Sequence, residues 1–256
     1  MGYELIAIFF VIAAIYAAAG FGGGSSYLAA MSLFGLSMAV MKPSALLCNV
    51  VVVTGGTYIF WKTGHLSLRK IWPLVLSSVP LAFLGGAIPL REKTFFVLLG
   101  SSLVVASLLM LSQHRFPLLK YEAQAPTVRH YPIGLSALIG GSVGLLSGMV
   151  GIGGGIFLSP LLHLLRWDAP KNIAATASFF ILVNSLAGLS GQLWQNRFQA
   201  DWHFLLPLMG AVLVGGQLGS RLSALKFKQK QVAWATALLV FYAGVNVLWQ
   251  QFGGGR

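Results

Sequence analysis

Two glycine clusters, Gly20-Phe21-Gly22-Gly23-Gly24 and Gly151-Ile152-Gly153-Gly154-Gly155, decide how this chain folds. They are one motif repeated 131 residues apart, and each lies near the middle of a long apolar stretch without Asp, Glu, Lys or Arg. The two stretches, residues 5–41 and 130–165, hold 37 and 36 residues. A helix crosses a bilayer with about 20 apolar residues, so each stretch is too long for one helix and barely long enough for two.

The rest of the 256-residue chain has the composition of a membrane protein. Only 9% of the residues are charged and 57% are hydrophobic, whereas a soluble domain carries about 25% charged residues to cover its surface. Six further uncharged stretches of 19 to 25 residues each have the length of one crossing: 43–61, 71–90, 94–114, 172–196, 202–220 and 231–255. We therefore predict an all-α polytopic membrane protein, one transmembrane domain over residues 1–256 with eight apolar segments.

The surroundings of the glycine clusters repeat as well. Asn49 and Asn184 lie inside the second crossing of each unit, and Pro73 has its counterpart in Pro207. These matches indicate an internal duplication, with repeat 1 at residues 4–112 and repeat 2 at 132–250. A polar linker, residues 113–131, joins them.

The basic residues indicate how the two long stretches meet the membrane. If each crosses once, the 17 Lys and Arg residues divide almost evenly between the two faces. If each instead enters, turns at its glycines and leaves on the same side, 12 of them share one face and 5 remain on the other, Lys42, Arg91, Lys93, Arg197 and Arg256. The positive-inside rule favours the second arrangement, a hairpin plus three transmembrane helices in each repeat.

A hairpin and three crossings are an odd number of passes, so the two repeats are predicted to have inverted topology. Both chain ends then lie outside and the linker 113–131 is cytoplasmic, in a multi-pass protein of the cell (inner) membrane. A turn inside the hydrocarbon survives only where it is buried in protein or lines a wet cavity. The helices after the turns start at Ser25 and Gly155, and their free N–H groups and dipoles form an anion site without any buried cation. The alternative is that the glycines serve only close packing between helices.

Polar side chains within the apolar runs are the other candidate ligands. Asn49 and Asn184 are interpreted either as donors to an anion's oxygens or as interhelical hydrogen bonds that lock the packing. Four further polar residues could complete a polar lining, but we interpret them as helix residues whose side chains bond the backbone: Thr54, Ser178, Ser185 and Gln192.

Several functional classes are excluded or disfavoured. The single cysteine, Cys48, excludes an internal disulfide and is interpreted as a buried apolar residue. His163 and His203 have no partners at metal-ligand spacing, so no metal and no cofactor is predicted. No carboxylate lies inside an apolar run and there is no phosphate-binding loop, which argues against carboxylate-based coupling and excludes ATP drive within this chain. The dispersed cations disfavour nucleic acid as a partner. The sequence also offers no pairing of a nucleophile with a general base, so an enzyme is not predicted.

The paired motifs resemble the sulfite exporter TauE/SafE family of membrane permeases over nearly the whole chain. The resemblance is carried in the first unit by Ala19 to Gly24 and Met41 to Asn49, and in the second by Gly148 to Gly155, Pro160, Ala174-Ala175-Thr176-Ala177 and Asn184. It implies a helical permease with two related halves that moves small sulfur-containing anions, often outward. One departure is Ser25-Ser26, where the second unit has Ile156-Phe157.

The sequence therefore predicts a permease for sulfite or an organosulfonate that works by alternating access at a site near the bilayer midplane. The predicted substrate-binding residues are Gly22, Gly23, Gly24, Ser25, Asn49, Gly153, Gly154, Gly155 and Asn184. Two alternatives remain: a carrier or channel for another small anion such as thiosulfate or a carboxylate, and a membrane scaffold that transports nothing.

Overall fold

The computed structural model describes residues 2–18, 21–115, 131–196, 201–222 and 229–252. Within these ranges the backbone forms ten helices and no strand. In chain order they are α1 (Gly2–Ala18), α2 (Gly24–Leu33), α3 (Met38–Lys62), α4 (Leu68–Ala87), α5 (Glu92–Arg115), α6 (Ile133–Val150), α7 (Gly155–Leu164), α8 (Pro170–Trp194), α9 (Trp202–Leu222) and α10 (Gln229–Phe252). The all-α prediction is confirmed, whereas most of the predicted linker, and Gly20 of the first glycine cluster, lie outside the described residues.

Six of the described helices are long and apolar enough to cross a membrane. They are Met38–Lys62, Leu68–Ala87, Glu92–Ser112, Ile133–Val150, Pro170–Trp194 and Trp202–Gly219. With a rise of about 1.5 Å per residue, the shortest of them measures about 27 Å, close to the hydrocarbon thickness of a bilayer. The chain is therefore a multi-pass membrane protein.

Both glycine clusters interrupt the helices. Gly23, which precedes α2, has φ 85°, and in the second cluster φ is 85°, 85° and 82° at Gly151, Gly153 and Gly154. A residue with a Cβ rarely adopts such a backbone, which is why glycine occupies these positions. The helices that follow, α2 and α7, have ten residues each and so measure only about 15 Å, half of a bilayer core.

Each of these short helices leads back toward the start of the long helix that follows it. At its beginning α2 lies against Asn49, near the middle of α3, and it ends at Leu33, five residues before α3 begins at Met38. In the second unit α7 begins beside Ile181 of α8 and ends shortly before α8 starts.

The helix that precedes each glycine cluster, α1 or α6, packs on a helix from the other half of the chain. Along α6, Gly144 and Gly148 lie against Ser78 and Ala82 of α4, and a Cβ on Gly144 would come 2.5 Å from the Ser78 carbonyl oxygen. Because these contacts advance together along both chains, the two helices run parallel at backbone contact distance. The small residues that permit this approach are the usual packing devices of membrane helices.

The first hairpin does the same against the second unit. A Cβ on Gly215 of α9 would meet the carbonyl oxygen of Phe10 in α1, and one on Gly219 would meet that of Ala14. The two units therefore interlock through α1 with α9 and α4 with α6, instead of folding as separate bundles.

The long helices α3 and α8 cross at the centre in opposite directions. The hydroxyls of Thr57 and Ser178 are 3.0 Å apart, and further along a Cβ on Gly188 would lie 3.4 Å from Leu46 Cδ1. This antiparallel pair lies beside the two glycine turns, with Asn49 of α3 and Ile181 of α8 in contact with them.

Candidate functional site

Asn49 joins the two glycine turns. It is fully buried on α3, and a Cβ on Gly22 would lie 2.6 Å from its Oδ1 while a Cβ on Gly153 would lie 2.7 Å from its Nδ2. Its Nδ2 donates a 3.0 Å hydrogen bond to the carbonyl oxygen of Ile152, inside the second turn. One side chain of the first unit thus contacts the backbone of both turns.

The turns also approach each other directly. A Cβ on Gly24 would lie 2.7 Å from the Ile152 carbonyl oxygen and would contact the amide of Asn49 as well. The start of α2 is therefore close to the backbone that leads into α7. Because the first N–H groups of a helix have no partner within it, two sets of free donors and two positive dipole ends converge on this region.

The second turn faces α8 at Ile181 and Ser185. A Cβ on Gly153 would lie 3.0 Å from Ile181 Cγ2 and 3.0 Å from Ser185 Oγ. Ser185 is fully buried, and its hydroxyl has no hydrogen-bond partner among the described residues. We predicted that this hydroxyl bonds the backbone of its own helix, and it does not. Ser185 is thus a stronger candidate for the polar lining than its sequence context indicates.

Asn184, the second predicted asparagine, faces α4. Its Nδ2 donates to Ser78 Oγ at 3.0 Å and to the Phe180 carbonyl oxygen at 2.8 Å. These contacts hold α8 against α4 and do not reach the glycine turns. The residue of α8 that occupies the place of Asn49, opposite the equivalent glycine, is Ile181.

The hydroxyl-bearing residues in the first turn of α2 are buried, and two of them contact α1. Ser25 is 2% exposed, and the neighbouring Ser26 shares a 2.6 Å hydrogen bond with Tyr16 of α1. Tyr27 stacks on Phe9 with ring centroids 4.5 Å apart, and its hydroxyl has no partner among the described residues. These contacts fasten α2 to α1, with Ser25 buried at the helix start.

A lysine is buried beside the second turn. Lys42 of α3 is only 6% exposed, and a Cβ on Gly151 would lie 3.4 Å from its Cα. A buried lysine beside this turn was not part of our expectation, which relied on helix starts alone to attract an anion. The signal was available in the sequence, since Lys42 is the one charge between residues 5 and 61, but the charge count treated it only as a marker of the outer face.

The other polar residues of the long helices differ in their hydrogen-bond partners. Thr54 donates to the Val50 carbonyl oxygen of its own helix at 2.5 Å, as predicted. Ser178 instead bonds across to α3, sharing a hydrogen bond with Thr57. Gln192 is 3% exposed, and its Nε2 has no partner within the described part of the chain.

The chain matches known proteins along most of its length. The sequence model of a family described as Sulfite exporter TauE/SafE matches residues 5–247. A probable membrane transporter protein of Sinorhizobium fredii is 35% identical over 246 residues, covering 94% of this chain and 96% of that protein. A second probable membrane transporter protein, from Xylella fastidiosa, is 26% identical over 247 residues, covering 90% of this chain and 89% of its own. No solved structure matches the chain.

Proposed function

The chain belongs to the sulfite exporter TauE/SafE family of membrane transporters, and on that premise we propose that it is a permease for sulfite or a small organosulfonate. The observation that carries the proposal is the meeting of two glycine turns at Asn49, halfway along α3. Two helix starts directed at one buried polar centre form an environment that favours a small anion.

The proposed binding site consists of the two turns and their shared asparagine. The donors would be the backbone N–H groups of Gly22, Gly23, Gly24 and Ser25 in one turn and of Gly153, Gly154 and Gly155 in the other, and Asn49 contacts both turns. Asn184 contributes indirectly, because its bond to Ser78 fixes the rotation of α8 that presents Ser185 to the site. The glycines supply the positive φ and the close approach that the turns require.

We further propose alternating access between inverted repeats. What supports it is the corresponding order of the helices: α1 on α9 mirrors α6 on α4, and α2 on α3 mirrors α7 on α8. Because the long arm of each hairpin packs on the other unit, the bodies that rock against each other would combine parts of both repeats.

The proposed direction is outward across the cell (inner) membrane. None of the five Asp and Glu residues, Glu4, Glu92, Glu122, Asp168 and Asp201, lies within one of the uncharged apolar stretches of the sequence, so no carboxylate is expected to relay a coupling ion through the site. With the cytoplasm negative, each negative charge that leaves gains about 2.3 kcal/mol per 100 mV. A cytoplasmic anion is then exported by the membrane potential alone.

Flux into proteoliposomes under a clamped potential tests this function. We expect saturable, voltage-sensitive movement of sulfite and ethanesulfonate, and little movement of acetate. Liposomes without protein give the leak. Faster acetate than sulfonate flux contradicts the substrate class, a rate that never saturates indicates a channel, and no flux of any of the three favours a scaffold.

A further inference from the structure

We propose that the site favours anions that also carry a hydrogen-bond donor, an O–H or N–H group, which the side-chain carbonyl of Asn49 accepts. This rests on the proposed function and ranks the members of its substrate class, with sulfonates that bear a donor, such as a hydroxyalkanesulfonate, above those that do not.

The orientation of the Asn49 amide is fixed by its neighbour. A backbone carbonyl oxygen only accepts hydrogen bonds, so the group 3.0 Å from the Ile152 oxygen must be the NH₂ of Asn49. The carbonyl of the amide therefore points away from Ile152, toward Gly22 just before α2, where a Cβ would lie 2.6 Å from Oδ1.

This carbonyl oxygen is an acceptor that nothing in the described structure satisfies. Asn49 is fully buried, and its Oδ1 has no hydrogen-bond partner among the described residues. A buried acceptor without a donor costs free energy, so a donor on a bound ligand would be favoured at this position. A ligand that offers only acceptor oxygens would add repulsion there, whereas an O–H or N–H group would complete the bond.

The opposite side of the same region holds the complementary chemistry. The Ser185 hydroxyl, buried and without a partner among the described residues, lies 3.0 Å from a Cβ on Gly153, directly before α7. A hydroxyl and the free N–H groups of a ten-residue helix are donors that suit the oxygens of a sulfonate. The anionic end is thus bound toward α7 and Ser185, and the donor end toward Asn49 Oδ1.

Two sulfonates of equal charge and similar size test the proposal on the unmodified protein. Propane-1-sulfonate carries a methyl group where 2-hydroxyethanesulfonate carries a hydroxyl. We expect kcat/KM for flux into proteoliposomes to be at least about tenfold higher for the hydroxy compound, because a site built to bond a donor rejects the analogue that lacks it. Equal values, or a preference for propane-1-sulfonate, overturn the donor preference.

Three variants assign the effect to its residues. Asn49→Leu removes the acceptor, so the preference should fall to within about twofold, with folding checked by thermal unfolding. Ser185→Ala removes a hydroxyl that bonds nothing described, and it should lower kcat/KM for both sulfonates by one common factor of about tenfold. Ser190→Ala on the same helix, whose hydroxyl bonds the Leu186 carbonyl oxygen, is the control and should change neither value.

The outcomes separate this proposal from the function on which it rests. If neither sulfonate crosses the membrane, the proposed function fails and the donor preference with it. If both cross with equal kcat/KM, the permease function stands and only the donor preference is wrong. If Asn49→Leu folds and still prefers the hydroxy compound, Asn49 is not the acceptor.

Discussion

The two glycine turns share a left-handed glycine directly before the following helix, Gly23 with φ 85° and Gly154 with φ 82°, and differ in which side chains contact them. Gly22 of the first turn lies against Asn49 and Val53 of α3, while Gly153 of the second lies against Ile181 and Ser185 of α8. Asn49 also crosses to the Ile152 carbonyl oxygen, and Ile181 has no polar atom with which to return such a bond. The surroundings of the two turns are therefore asymmetric, and the proposed site would combine an amide from α3 with a hydroxyl from α8.

The largest expected effect comes from breaking the contact between the turns. In Gly24→Ala the new methyl group would lie 2.7 Å from the Ile152 carbonyl oxygen and would also strike the Asn49 amide. Backbone on one side and a fully buried amide on the other leave little room, so we expect sulfonate flux to be lost and the unfolding free energy to fall by about 1–3 kcal/mol.

Gly210→Ala in α9 is the matched control, since a Cβ there meets nothing within 4 Å. It should leave flux unchanged and raise stability by up to about 1 kcal/mol, because alanine is the better helix former. Normal flux in Gly24→Ala would show that the turns do not need to touch.

A smaller effect should separate the two asparagines. Asn49→Ala removes an amide between the turns, whereas Asn184→Ala removes one between α8 and α4. We expect KM for sulfonate to rise about tenfold or more in Asn49→Ala and to stay within about twofold in Asn184→Ala. Both should lose about 1–2 kcal/mol of stability, because each leaves a buried partner unbonded.

Flux kinetics and thermal unfolding, measured on the same preparations, make this comparison. A rise of KM in Asn184→Ala as large as in Asn49→Ala would restore the symmetric pair of ligands that the sequence suggests.

The smallest effect lies where the units differ at the helix ends. Before α8, Asp168 is buried and bonds Lys70 at 2.9 Å and Asn172 at 2.9 Å. At the matching places of the other unit, two residues before α3 and two after the start of α9, stand the apolar Leu36 and Phe204. Within the described residues, this ion pair between the start of α4 and the loop before α8 therefore has no counterpart at the matching positions.

The ion pair between Asp168 and Lys70 makes the stability of the fold depend on pH. Burial raises the pKa of Asp168, but the bonds from Lys70, Asn172 and the Ala169 N–H outweigh it, so the pKa lies below its ordinary value of 3.8. A lowered pKa stabilises the fold above the unfolded value, and that contribution is lost as the pH falls through the folded one. Asp168→Asn should therefore cost about 1 kcal/mol at pH 7, reduced because Lys70 is half exposed, and progressively less below about pH 4.

Thermal unfolding in detergent between pH 7 and pH 3 measures the Asp168 contribution. Asp201→Asn, which retains a cap for the His203 N–H at the start of α9, is the control. A difference between Asp168→Asn and the unmodified protein that does not shrink toward pH 3 would contradict an ionic link.

Much of the fold could be predicted because its causes are local. A charge content of 9% and apolar runs of membrane length predict crossing helices from composition alone. The breaks at the two clusters follow from the conformational freedom of glycine, as the positive φ of Gly23 and Gly153 illustrates. The pairing of α6 with α4 could not be predicted in this way, because a run of small residues does not name its partner helix.

The asparagines show why the site was harder to predict than the fold. In the sequence, Asn49 and Asn184 correspond if the alignment follows the pairs Pro73/Pro207 and Leu84/Leu218. In the structure, however, the starts of α3 and α8 are 132 positions apart, whereas the two asparagines are 135 apart. Three residues rotate a side chain by about 300° and advance it by about 4.5 Å, which turns Asn184 toward α4.

By itself, the sequence determined an all-helical membrane protein, broken twice by glycine, of a transporter family. Only the tertiary structure decided that Asn49 contacts both turns, that Ser185 lies beside Gly153, that Asn184 bonds Ser78 of α4 and that Lys42 is buried beside Gly151. The physical reason is that hydrophobicity and backbone freedom are properties of each residue. Which face of a helix meets which turn depends on the rotation and depth that all of the packed helices impose together.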